Sequence, residues 1–153
     1  MKKLFAVILT VAMLATMSVT AFAANTAGGE ADITTSIAPT YTVTIPADVN
    51  VQFNATETAF GTIEVTASQI HPNKCIKVAL TTDNELNNAI DNTKVIPYAI
   101  KDSTGAAFTS ATYLTEGDKT ELSIHITAND WNAAYAGEYS DTVTFTVSYK
   151  DKA

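Results

Sequence analysis

The chain holds few side chains able to do chemistry: two histidines, His71 and His125, and a single cysteine, Cys75. Nucleophilic catalysis needs a nucleophile, a base and a group that orients the base, all within reach of one another. No G-x-S-x-G stretch occurs, His71 stands beside Pro72, and His125 falls on the solvent side of an alternating strand. A solvent-facing sheet position is the expected fate of His125, with a catalytic base as the alternative. His71, Cys75 and His125 do not make a closed zinc site, which takes four ligands. Asp83, Asn84, Glu85, Asp91 and Asn92 offer oxygens suited to Ca²⁺, but without the glycine and the alternating spacing of a calcium loop; a solvated loop is expected. The reading is therefore of a non-enzyme with no catalytic residues, cofactor or metal. One pattern points to binding instead: Trp131 with Tyr135 four residues on. Exposed together they form a platform for a sugar ring, and the protein is then a carbohydrate-binding module. Buried, Trp131 plugs one end of the fold, as large aromatics mostly do.

The elements that must position these residues begin after a leader. In MKKLFAVILTVAMLATMSVTAFA, Lys2 and Lys3 precede an apolar run from Leu4 to Met17, and Ala21-Phe22-Ala23 presents small residues for cleavage. This is the layout of a secretory signal peptide over residues 1–23; the apolar run is short for a bilayer span. The expected location is outside a bacterial cell, released or at its surface. No cysteine follows the cleavage point and no LPxTG motif closes the chain, so neither a lipid anchor nor sortase attachment is expected.

Losing Lys2 and Lys3 with the leader moves the net charge from −7 to −9. An acidic chain without arginine has no electrostatic footprint for nucleic acid or anionic lipid. About 130 residues remain, one domain able to bury roughly two thirds of its unfolded surface. Cys75 stands alone, so no internal disulfide forms; a buried thiol and an intermolecular bridge both stay open.

Residues 24–31, small and glycine-containing, read as a flexible segment, and residues 32–153 as the domain. From there the apolar period is two. Tyr41-Val43-Ile45, Val49-Val51-Phe53, Ile63-Val65, Ile76-Val78-Leu80, Ile96-Tyr98-Ile100, Leu122-Ile124-Ile126 and Val143-Phe145-Val147-Tyr149 alternate, mostly with threonine and other polar residues. Strands with one apolar face belong to antiparallel sheets buried on a single side. Turn residues separate them at Pro46-Ala47-Asp48, His71-Pro72-Asn73, Ser103-Thr104-Gly105 and Glu116-Gly117-Asp118. Pro97 predicts an edge or bulged strand. Thr81 to Lys94 lacks a strand period and reads as a loop with a helical turn, and no helix of normal length is expected after Ala23. The expected fold class is all-β: an immunoglobulin-like antiparallel β-sandwich of seven or eight strands.

Two resemblances sharpen this. Asp130 followed by AGEY resembles the D-x-[AG]-x-Y signature of immunoglobulin-like domains, which makes Tyr139 a tyrosine corner whose hydroxyl ties back to the preceding loop. G-x-Y-x-D-T-V-T-F-T-V-x-Y resembles the terminal strand of fimbrial and spore-coat-U-type subunits, with Gly137 and Tyr149 twelve residues apart. The layout of leader, YTVTIPADV and this ending also looks like small secreted surface proteins of Gram-positive bacteria. The resemblance implies an assembly strand carrying Gly137, Tyr139, Val143, Phe145, Val147 and Tyr149, beside a groove that an N-terminal segment of another chain fills. The candidate donor is ADITTSI, with Ile33, Thr35 and Ile37 on one side; the alternative is that it forms this domain's own first strand. The implied function is a structural or adhesive surface module, its partners other copies of itself, other surface proteins or a glycan. The chain departs from such subunits in lacking a disulfide and in the three residues after Tyr149. It also lacks the early lysine and late glutamine that isopeptide or ester crosslinks in Gram-positive adhesins need.

Overall fold

The computed structural model describes residues 8–12 and 32–152. The expected signal peptide, apart from Ile8–Ala12, and the segment 24–31 lie outside the described residues. In chain order the elements are β1 (Ile8–Ala12), β2 (Thr40–Thr44), β3 (Glu57–Gln69), β4 (Lys74–Thr81), β5 (Glu85–Asn88), β6 (Val95–Pro97), β7 (Ala99–Asp102), β8 (Ser110–Tyr113), β9 (Lys119–His125), α1 (Ala128–Ala133), β10 (Tyr139–Ser140) and β11 (Thr144–Asp151). The protein is all-β with one short helix. No helix among the described residues is long and apolar enough to cross a membrane.

Every pairing is antiparallel, as one-sided apolar alternation demands. One sheet runs β1-β2-β3-β9-β7, a second β11-β4-β8, and a small third β10-β5-β6. The inward residues of the first two meet in one core. Val43, Ile63, Val65, Leu122 and Ile124 of the large sheet pack in the same cluster as Ile76, Val78 and Tyr113 of the second. Their period of two turns one face of each strand toward the other sheet and leaves the threonines outside.

The turns follow their chemistry. The Asp118 carboxylate accepts the amides of Leu114 and Thr115, which hold its carboxyl below the usual range. Asp102 does the same at Thr104, and the Lys74 amide closes the turn at Pro72 on the His71 carbonyl. Pro97 ends β6, an edge strand, where a missing amide costs no ladder bond.

Three expectations need correction. Val49-Val51-Phe53 alternates but forms no strand; the chain from Ile45 to Asn54 runs as a loop that ends in a turn with Asn54 at φ 63°. Alternation without an available ladder partner does not make a strand. Thr81 to Lys94, read as a loop with a helical turn, contains β5. Leu86 packs on the core, and the buried Asn88 accepts the Ile90 and Asp91 amides through its side-chain oxygen, ending the strand there. The Ile96-Tyr98-Ile100 run is two strands in two sheets, divided at Tyr98, whose amide donates to the Asn84 carbonyl.

The helix is six residues and depends on its cap. Thr127 Oγ1 accepts the Asp130 amide while the Asp130 carboxylate accepts the Thr127 amide, a reciprocal capping box.

Ile76 is fully buried between the two main sheets. Ile76→Ala is expected to lower unfolding free energy by about 2–5 kcal/mol, read as a reduced urea midpoint with an unchanged slope.

Candidate functional site

An open cleft of about 930 Å³ lies at one end of the sandwich. Its walls are the loop after β2, the start of β3 at Phe60, the third sheet, and the segment from Gly137 to Phe145 that leads into β11. The floor is apolar, with Ile96 and Ile124 at the bottom, while Asp48, Glu138 and Asp141 stand among the lining residues.

Local bonds hold the walls. Trp131, presented by α1, is 9 % exposed and donates its indole N–H to the Ala55 carbonyl at 2.9 Å. That bond fixes the end of the post-β2 loop. It also braces Phe53, whose ring meets Trp131 edge-on at 5.6 Å while remaining 76 % exposed. On the other wall the Tyr139 hydroxyl donates to the Tyr135 carbonyl at 3.0 Å, tying the entry of β10 to the loop before it. Gly137 has φ 150°, and a Cβ there would lie 2.5 Å from Asn88 Nδ2, so only glycine lets the two segments approach this closely.

Asp141 is the polar anchor of the segment entering β11. Its Oδ2 accepts the Tyr98 hydroxyl in a short hydrogen bond and the Thr82 hydroxyl at 3.0 Å, and its Oδ1 accepts the Thr142 amide. Burial first, and then the Asp141 carboxylate, push the Tyr98 phenol well above its ordinary value.

No family model, curated protein or solved structure matches the chain. Geometry and chemistry therefore carry the reading of the site alone.

Among the described residues β11 pairs with β4 and with nothing on its other edge. Val143, Phe145, Val147 and Tyr149 point toward the core yet are only half-buried, unlike Ile76 and Val78 on the strand beside them. Phe145 rests near Phe60 at 5.9 Å, and Tyr149 stacks on Tyr41 at 5.8 Å with its hydroxyl accepting the His71 amide. Gly137, Tyr139, Val143 and Phe145 line the cleft; Val147 and Tyr149 continue the same face beyond it. Ile33, Thr35 and Ile37 lie elsewhere, in an extended exposed segment before β2, with Ile33 at 99 % and Ile37 at 68 % exposure.

Trp131 and Tyr135 do not present one surface. Trp131 is buried under Phe53, whereas Tyr135 is exposed with the Lys94 ammonium 5.1 Å above its ring centroid. Ser123 Oγ is 2.9 Å from His125 Nε2, and Glu57 approaches the same nitrogen at 3.9 Å. A nucleophile–base–orienter relay uses both imidazole nitrogens, so this cluster lacks its geometry. Asp83 and Asp91 each bond to a backbone amide two residues on, and no group of three or more metal-ligating side chains gathers among the described residues. Cys75 is buried, 3.6 Å from the Asp151 carbonyl.

Sequence reasoning did not find Asp48, Phe53, Tyr98 or Asp141 as site residues. They come from three separate stretches of the chain, and Phe53 and Tyr98 were placed in strand runs rather than at a site.

Gly137→Ala, which keeps every other wall residue, is expected to cost about 1–3 kcal/mol in chemical unfolding. Stability is also expected to fall as pH rises above about 10. The unfolded chain ionises Tyr98 there, while the folded chain keeps it protonated to higher pH, so the contribution is complete below pH 10 and is lost through the folded value. Unfolding curves between pH 8 and 12 check this, and Tyr98→Phe should flatten the decline.

Proposed function

We propose that this protein is a non-catalytic, exported bacterial surface module of structural or adhesive role, built on an immunoglobulin-like sandwich and joined to other copies through its terminal strands. The observation that carries the reading is β11: one edge unpaired among the described residues, its apolar face half-covered, and an open apolar cleft at its head. An extended segment laid along that edge gains main-chain hydrogen bonds from the ladder and side-chain pockets at alternate positions. The exposed Ile33-Thr35-Ile37 segment has the length and alternation for it, and isoleucines held this far in water gain by burial, each about 1.5–3 kcal/mol.

Phe60, Val143 and Phe145 receive the donor side chains in this reading. Tyr149 and its neighbours hold the acceptor strand against β4. Edge strands of this kind pair with other chains unless something covers them, and the module puts that tendency to use.

Multi-angle light scattering tests the proposal on protein expressed with its own leader and purified as the cell leaves it. A series of oligomer masses is expected, collapsing to monomer in a folded variant that lacks residues 24–37. A monomer at every concentration, or an unchanged series after the truncation, overturns it.

A further inference from the structure

Exposed lysines gather at one end of the sandwich, while the other end is lined by carboxylates. Thr40 pairs with Gln69, Lys74 pairs with Asp151, and the Lys152 amide donates to the Asn73 carbonyl. The start of β2, the β3–β4 turn and the end of β11 therefore share one end. Lys150 and Lys152 are exposed there, with Lys77 on the same sheet and Lys74 bridged to Asp151 at 2.7 Å. Carboxylates lie here too: Glu116, Asp118 held ionised by the Leu114 and Thr115 amides, Asp151 bridged to Lys74, and Asp32 in the segment that runs into β2, so this end carries both signs.

The opposite end carries the cleft. Asp48, Glu138 and Asp141 line it, and none of the described lining residues is a lysine or histidine. Asp83, Glu85 and Asp91 stand in or beside the adjoining β5, where the neighbouring cation, Lys94, sits over Tyr135.

The exposed apolar segment leaves from the lysine end, because it runs directly into Thr40. The cleft of its own molecule lies beyond the far end of β2. To reach it the segment would have to reverse at Ala38-Pro39. Tight hairpin turns need positive φ at their first central residue, which alanine resists, and proline at the second holds φ near −65°. A neighbour's cleft requires no such reversal.

We infer that copies join head to tail: the lysine end of one molecule, with Lys150 and Lys152, docks on the carboxylate rim of the next molecule's cleft, at Asp48 and Glu138. This rests on the strand-exchange reading and adds the polarity and the electrostatic contact that select the partner's end. The two surfaces are different, so the contact is heterologous and each new copy leaves a fresh cleft open. Complementary charge steers the approach and disfavours end-to-end encounters of like sign. The attraction is between exposed groups, so salt screens it.

Charge reversal tests this on the full chain, purified as the cell leaves it. Asp48→Lys with Glu138→Lys sets lysines on the cleft rim against the docking lysines, and Lys150→Glu with Lys152→Glu sets carboxylates on the docking end against the rim. All four side chains are exposed, and circular dichroism checks that each variant folds. Each variant alone is expected to associate at least tenfold more weakly than the parent. An equimolar mixture restores the oligomer series, since each variant's ends then match the other's. Raising NaCl from about 0.05 M to about 0.5 M should weaken the parent and the mixture alike. Oligomers that persist in both single variants, or a mixture of folded variants that stays monomeric, overturn the inference while the strand-exchange reading stands. A parent that never associates overturns both.

Discussion

Every backbone amide and carbonyl removed from water must find a partner, and among the described residues β11 meets that demand along one edge only. Its eight residues pair with β4 from Thr144↔Thr81 to Asp151↔Lys74. The rest of the molecule is arranged around this strand. Asp141 anchors its entry through Tyr98 and Thr82, and Tyr149 holds its far end through Tyr41 and the His71 amide. With both ends pinned, the strand remains extended although none of the described residues pairs with its second edge. Groups held in place this way would need little further ordering to accept a strand along that edge.

Cohesion elsewhere comes from packing, ladders and side-chain hydrogen bonds such as Trp131 to Ala55. The single cysteine is buried without a disulfide partner, and no metal-ligating cluster gathers among the described residues. Pairings such as Lys74↔Asp151 and Glu57↔His125 join distant parts of the chain. Loop closure must precede the reward of such contacts, so folding is slow for a domain of this size.

Much of this was legible in the period of two. Ile63-Val65, Ile76-Val78 and Leu122-Ile124 name the core correctly because each strand has one buried face. Alternation failed where it lacked a partner, at Val49-Val51-Phe53, and was silent where a polar side chain built the strand end, at Asn88. It also could not see that Tyr98 divides one run between two sheets. Residues of the closing strand were visible because they are contiguous. The cleft was not, since Asp48, Phe53, Tyr98 and Asp141 meet only through tertiary folding. Trp131 illustrates the limit of residue type alone: its place beneath Phe53 depends on a hydrogen bond to Ala55 that no local pattern announces.

The chain enters β2 and leaves β11 at neighbouring points, linked by the β3–β4 turn where Lys152 meets Asn73. A unit whose entry and exit lie side by side can be spliced into a surface loop of a larger polypeptide without stretching its host. It would stand out from that host like a peg, base down, with the cleft at its free tip. Evolution or an engineer could therefore place this domain within another protein and still present the cleft at its tip.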